Sequence, residues 1–356
     1  MENETWDYPA SLYGAAFSDV TGDVTINVHG SHLRNIVGIK ERGVLRSNLT
    51  IHTVDVELDD HEYTSAAEPT DPRNYGNIQS ETGGSVQGNV EIWVDGGSLG
   101  QIYGEGDIGG NTTILVRGEP EFRYGIFGNK GTDTAEKSVL NFDGAVCSIP
   151  RVGWLTAASL YNGADVTITG VDACGDTHVD AFYSSNNSLS ITENSKLHTC
   201  VQTQIKGKTY MENGTFIGDG KTYFYQETET KNSTLIFNNY IAIGYGYKDN
   251  PQGRVVFHSV NDDVTFHRSS SSDSADRVYG SAQIEGGTWT LWRPVRVEEN
   301  YSGTGNTLNL PAFLAGENYP DKLIPLAIAG SASGDTDVYL VQAGDAKSSG
   351  ITTSTP

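Results

Sequence analysis

The densest group of residues able to move a proton or hold a cation is Asp172-Ala173-Cys174-Gly175-Asp176-Thr177-His178-Val179-Asp180. If this segment is extended, Asp176, His178 and Asp180 alternate and share one face. Such a face suits calcium, which takes oxygen ligands, or a general acid and base. The competing reading is a solvated strand face with aspartates at its corners. Asp59-Asp60 and Asp262-Asp263 are two further carboxylate pairs.

A second group is aromatic. Tyr223-Phe224-Tyr225 and the run Tyr240 to Tyr247 stand about one repeat apart. Alternation puts Tyr223 and Tyr225 on one side, with Tyr245 and Tyr247 near them. Interfaces are rich in Tyr, Trp and Arg, so these four are candidate partner-binding residues. The competing reading is a ring stack inside the fold or ordinary surface tyrosines. Tyr63, Arg73 and Tyr75 make a second candidate set. Trp289 and Trp292 are expected to pack under a terminal cap. Cys147, Cys174 and Cys200 lie 27 and 26 residues apart. They read as small buried residues in an internal ladder, with a disulfide between neighbours as the alternative. Zinc spacings such as Cys-x-x-Cys are absent, so no metal and no cofactor is expected.

The elements that must position these residues come from a recurring phrase. Val24-Thr25-Ile26-Asn27-Val28-His29-Gly30 returns as Leu49 to Asp55, Val90 to Gly96 and Thr112 to Gly118. Further copies start at Ser138, Val166, Leu189, Lys208, Thr234 and Arg254, so the steps are 25, 41, 22, 26, 28, 23, 19, 26 and 20 residues. Apolar and polar residues alternate within each copy, the pattern of a strand with one buried face. A second strand follows at Asn35 to Gly38, Gln101 to Gly104, Gly125 to Gly128 and Arg151 to Trp154. Repeats of this length signal a solenoid, whose rungs bury a core only by stacking. The expected fold is all-β, a single-stranded right-handed parallel β-helix with terminal caps. Residues 1–20 read as an N-terminal cap, 21–305 as the helix, 306–342 as a β cap and 343–356 as a Ser/Thr-rich linker. The step of 41 reads as an insertion loop at about 59–88, and Ser269 to Asp276 as a mobile stretch.

The chain has 356 residues and a formal net charge of −22. That excludes nucleic acid, which needs a basic surface. No apolar run of 18 or more residues is present, so no membrane insertion is expected. Met1 before Glu2-Asn3-Glu4 reads as an expression start on an excised fragment or as a natural cytosolic start.

Gly88-Asn89-Val90-Glu91-Ile92-Trp93-Val94-Asp95-Gly96-Gly97 with Gln101-Ile102-Tyr103-Gly104 resembles the β-helix modules of large surface proteins of Gram-positive gut bacteria. The resemblance covers most of residues 20 to 340, and its motif is structural. It implies a pectate-lyase-like β-helix and display on the cell surface. It also implies adhesive or host-protein-binding roles, with immunoglobulin as first candidate partner. The same fold hosts polysaccharide lyases and glycoside hydrolases. The polygalacturonase order Asn-Thr-Asp, Asp-Asp, Gly-His-Gly, Arg-Ile-Lys is absent, and Gln204-Ile205-Lys206 has Gln where Arg is needed. The expectation is a non-enzymatic domain, monomeric as a fragment, that binds a host protein or glycoprotein. The alternatives are a carbohydrate-active enzyme using Asp176, His178 and Asp180, and a passive stalk.

Overall fold

The computed structural model describes residues 10–58, 76–104, 106–129, 137–183, 187–248, 256–267, 275–312 and 325–342. Among these the chain is all β, apart from a 3-10 turn at Tyr245–Tyr247. The strands build long parallel sheets, and each strand pairs with its counterpart one repeat later. Val24–His29, Leu49–Val54, Val90–Asp95, Thr112–Arg117 and Ser138–Asp143 stack in this way. Their inward Ile26, Ile51, Ile92, Ile114 and Leu140 form one buried column. A second column aligns Ile36, Ile78, Ile102, Ile126, Val152 and Phe182. Adjacent strands lie about 4.8 Å apart, so like side chains stack on one another and close the core that a lone rung leaves open.

The step of 41 conceals an ordinary rung. Asn77–Thr82 and Ser85–Val86 are strands in register with their neighbours. The inserted part is therefore confined to residues 59–75, which lie outside the described residues, together with Asp59-Asp60, Tyr63, Arg73 and Tyr75. Stacking also starts earlier than expected, because Leu12–Ala16 and Asp19–Val20 pair with Ile36–Lys40 and Val44–Leu45. At the other end, Tyr301–Ala312 and Ala332–Gln342 pair in parallel along their whole length, so the ladder takes in residues 306–312 and 332–342. The linker at 343–356 lies outside the described residues.

Two copies of the phrase belong to a different column from the rest. Val166 and Thr234 start or sit in the strands Asp165–Ile168 and Thr234–Phe237, which follow the phrase strand within the same rung. The phrase strands proper are Ala157–Tyr161 and Thr228–Lys231. Both strands of a rung alternate apolar and polar residues, so the pattern alone leaves the phase open. Some rungs of this half are short: Thr209 pairs with Thr228, 19 residues on. Its interior is aromatic. Phe216, Phe237, Phe266 and Trp289 follow one another at ring distances of 5.9, 5.5 and 5.5 Å. Trp289 is fully buried in this stack, next to Leu308 of the 306–342 segment.

The cysteines do not form a ladder, and all three are free. Cys147 is buried beside Val166 and Ala145, and burial pushes its thiol up to about 12. Cys174 and Cys200 are exposed, each at the surface of a different segment.

Candidate partner-binding wall

The rungs after residue 200 add a six-stranded sheet whose outward side carries the tyrosines. Its first strands are Thr203–Ile205, Thr222–Phe224, Ile241–Ile243, Asp276–Val278 and Val295–Val297. In four of them the middle residue faces out between two that face in, as Tyr223 does between Thr222 and Phe224 and Arg277 between Asp276 and Val278. The register sets Gln204, Tyr223, Ala242, Arg277 and Arg296 side by side. Ala242 is the small member of that row, and the ring groups gather around it. The chain after Ile243 turns at Gly244, at φ 71°, into the short 3-10 turn. That turn brings the Tyr245 ring back over the sheet.

Tyr245 is the centre of the group. Its ring lies 4.9 Å from Tyr223, 5.2 Å from Tyr225 and 5.8 Å from Tyr279, all edge to face. Tyr240 joins at 5.9 Å from Tyr223. Edge-to-face packing at such distances is favourable for aromatic quadrupoles. The five rings are half-buried, so each keeps one edge in water. Burial, followed by the neighbouring phenols, raises Tyr223, Tyr225 and Tyr240 above the ordinary tyrosine range. All three hydroxyls therefore stay protonated and able to donate at neutral pH. Polar groups ring the cluster. Lys248 donates to the Tyr245 hydroxyl at 3.2 Å. The Arg277 guanidinium lies 5.9 Å from the Tyr279 ring and donates to Glu298 at 2.7 Å.

Of the expected residues, Tyr223, Tyr225 and Tyr245 come together. Tyr247 stands in the same turn, but no ring contact joins it to the other tyrosines among the described residues. Tyr240, which opens the expected run, joins them, and Tyr279 and Arg277, outside the expected set, complete the group. The signal for them was present. Arg277-Val278-Tyr279 repeats the out-in-out triplet of Tyr223-Phe224-Tyr225, displaced by the residues inserted around 250.

Asp176, His178 and Asp180 do not share a strand face, which corrects the expectation. Residues 171–181 form a looped segment closed by a bridge between Val171 and Thr177. Asp172, which is buried, organises it by accepting the N–H groups of Cys174 and Asp176, both at 3.0 Å. His178 Nε2 faces Asp172 at 3.3 Å. Asp180 turns the other way and accepts from Gln202 at 2.6 Å and Gln204 at 3.3 Å. Gln204 in turn accepts the Tyr225 hydroxyl at 3.1 Å. One member of the proposed acidic trio thus belongs to the edge of the tyrosine wall.

Asp262 is also structural. Its buried carboxylate accepts from Thr230, Ser233, Ser259 and Val260, and it ties a corner. An open groove of about 590 Å³ lies on another wall, lined by Glu119, Glu121, Phe122, Asp165 and Lys196. There Asp165 is paired with Lys196 at 3.2 Å. No helix among the described residues is long and apolar enough to cross a membrane. Comparison with family models, with curated proteins and with solved structures finds no match.

Proposed function

We propose that the chain is a right-handed parallel β-helix displayed on a bacterial surface, where it binds a host protein or glycoprotein without catalysing a reaction. The observation that carries this reading is the tyrosine wall. Five half-buried rings from adjacent rungs gather on one wall, fixed by one another and by the backbone, with Arg277, Lys248, Gln204 and Asp180 at their rim. Aromatic anchors surrounded by polar groups are the composition of binding hot spots. Rings already held in place lose little freedom when a partner docks. The partner class comes from the resemblance of the repeated phrase, and immunoglobulin is the first to test.

The experiment is capture of immunoglobulin, then of serum and mucus glycoproteins, on the immobilised chain, followed by titration of the captured partner. Tyr223→Ala with Tyr225→Ala should weaken binding roughly 30-fold or more, since a hot-spot residue is worth about 2 kcal/mol. Unaltered affinity in a folded double variant overturns the site. Cleavage of pectin, mucin glycans or chondroitin, with or without calcium, would replace the binding reading with an enzymatic one. Loss of that cleavage in Asp176→Asn, Asp180→Asn or Glu121→Gln would then say where the chemistry sits. A folded chain that neither captures nor cleaves is a passive stalk.

A further inference from the structure

Three side chains of different chemistry converge on another wall. His198 faces outward from the strand Lys196–Thr199, and Cys200 follows two residues later on the same side. The next rung supplies Asp219, which directly follows Thr215–Gly218. These two strands pair from Lys196↔Thr215 to Thr199↔Gly218. One step further along the register, Cys200 therefore stands beside Asp219. The Asp219 N–H confirms the alignment by donating to the Thr199 carbonyl at 2.9 Å.

The ligand-type atoms meet in space. His198 Nε2 is 2.8 Å from Asp219 Oδ2 and 4.0 Å from Cys200 Sγ. All three lie within 4.8 Å of one another, and no other such group of three occurs among the described residues. A third rung orients the carboxylate: Asn238 Nδ2 donates to Asp219 Oδ1 at 2.7 Å. That bond occupies one oxygen and leaves Oδ2 turned toward His198 and Cys200. Outer hydrogen bonds of this kind are what fix a metal-binding carboxylate.

We propose that His198, Cys200 and Asp219 form a three-ligand site for Zn²⁺, its fourth position open to solvent. Tetrahedral zinc with ordinary bond lengths holds its N, S and O ligand atoms about 3.3 to 3.7 Å apart. The observed 2.8 and 4.0 Å straddle that range, so small side-chain rotations bring the three atoms to a common centre. A thiolate with an imidazole and a carboxylate selects zinc over calcium or magnesium, which demand oxygen. On binding, Cys200 releases its thiol proton to water. His198 uses the Nε2 lone pair and keeps its proton on Nδ1. The ion then bridges two rungs, and its open position accepts a water or a donor atom from another molecule. Sequence spacing hides this site, because the ligands are neighbours across rungs and not along the chain.

The probe is the metal alone, added to the whole chain carrying Cys174→Ser so that Cys200 is the one accessible thiol. Zn²⁺ titrated calorimetrically should bind at one equivalent, and Co²⁺ should give the charge-transfer absorption of a cobalt–thiolate bond. Cys200→Ser should abolish that band. His198→Ala and Asp219→Ala should each weaken Zn²⁺ by about 100-fold or more, beyond the 10- to 100-fold typical of an outer-shell partner. Asn238→Ala should fall within that 10- to 100-fold range. In the chain retaining Cys174, Zn²⁺ should protect Cys200 from alkylation and leave Cys174 reactive. Absence of the cobalt–thiolate band, equal protection of both thiols, or Zn²⁺ affinity unaltered in His198→Ala each overturns the site.

Discussion

Asp276 and Arg293 show how much a single residue can decide in this chain. They form the most deeply buried ion pair among the described residues, with Arg293 Nε 2.7 Å from Asp276 Oδ2. Arg293 also donates to the Asn239 carbonyl at 2.6 Å, and Asp276 Oδ1 accepts the Ile241 N–H at 2.9 Å. The pair fastens three rungs directly behind the tyrosine wall. Burial pushes the Asp276 carboxyl up to about 7, although Arg293 and the Ile241 N–H pull it down. A carboxyl raised in this way holds its proton more tightly folded than unfolded. Its contribution is complete below its unfolded value, about 3.9, and is lost as pH rises through about 7. Arg293→Met removes the cation and raises the carboxyl further. Breaking a buried pair from one side costs about 3–5 kcal/mol. We expect that loss in full at pH 8 and a much smaller one at pH 5, measured by urea denaturation; equal losses would contradict the assignment. Asp276 fell at the end of a Ser- and Asp-rich stretch that reads as mobile, so composition concealed a buried strand residue. Tyr223, Tyr225 and Tyr245 were legible because alternation fixes which side a ring takes. Asp176 and His178 were misplaced because Asp172 captures the local N–H groups, and such side-chain bonds compete with strand formation.

At the scale of elements, the residue before each early phrase strand sets the stacking. Asn48 donates its backbone N–H to Asp23 Oδ1 at 3.0 Å, Asn89 to Asn48 Oδ1 at 2.9 Å, and Asn111 to Asn89 Oδ1 at 2.9 Å. Lys137 closes the series by donating to Asn111 Oδ1 at 3.2 Å. Each side chain thus satisfies the backbone of the next rung at a corner where the ladder would leave it bare. Glycine precedes Asn89 for a steric reason: a Cβ on Gly88 would lie 2.6 Å from the Ser47 carbonyl oxygen. Asn89→Ala orphans the Asn111 N–H and should cost about 1 kcal/mol. Asn89→Asp keeps the acceptor and should cost less, so denaturation midpoints ordered wild type, Asp, Ala are the expected result. The strands themselves were legible from period-2 alternation and the glycine-rich corners. The phase of the later rungs was not, because two consecutive strands carry the same pattern and only pairing partners tell them apart. The long step near residue 60 was misjudged for a related reason. Asn77-Ile78-Gln79-Ser80 lacks the phrase, yet Ile78 occupies the same buried column as Ile36 and Ile102.

Taken as a whole, the molecule is a stack in which, among the described residues, the strands of each rung pair only with those of the rung before and the rung after. Long parallel sheets and the inward columns follow from the repeat, and that much of the architecture was readable before any coordinates. The makeup of the tyrosine wall was less so, because the repeated phrase encodes the core, whereas the wall depends on a few outward residues of the later rungs. The shortened rung also has a mechanical consequence. The bonds between rungs run along the stack, so tension on the two ends loads them a few at a time and peels the outermost rung first. A rung such as Thr209 to Thr228 holds 19 residues, which frees roughly 65 Å of chain at about 3.4 Å per residue. The earlier rung from Val24 to Leu49 holds 25 and frees roughly 85 Å by the same measure. Stretching single molecules should give a staircase whose steps vary with the length of each rung, these two among them, and one abrupt release of the entire chain would contradict it. Such a body lets go gradually: under a pull that would unfold a compact globule at once, it lengthens rung by rung and dissipates the load while its remaining rungs stay folded.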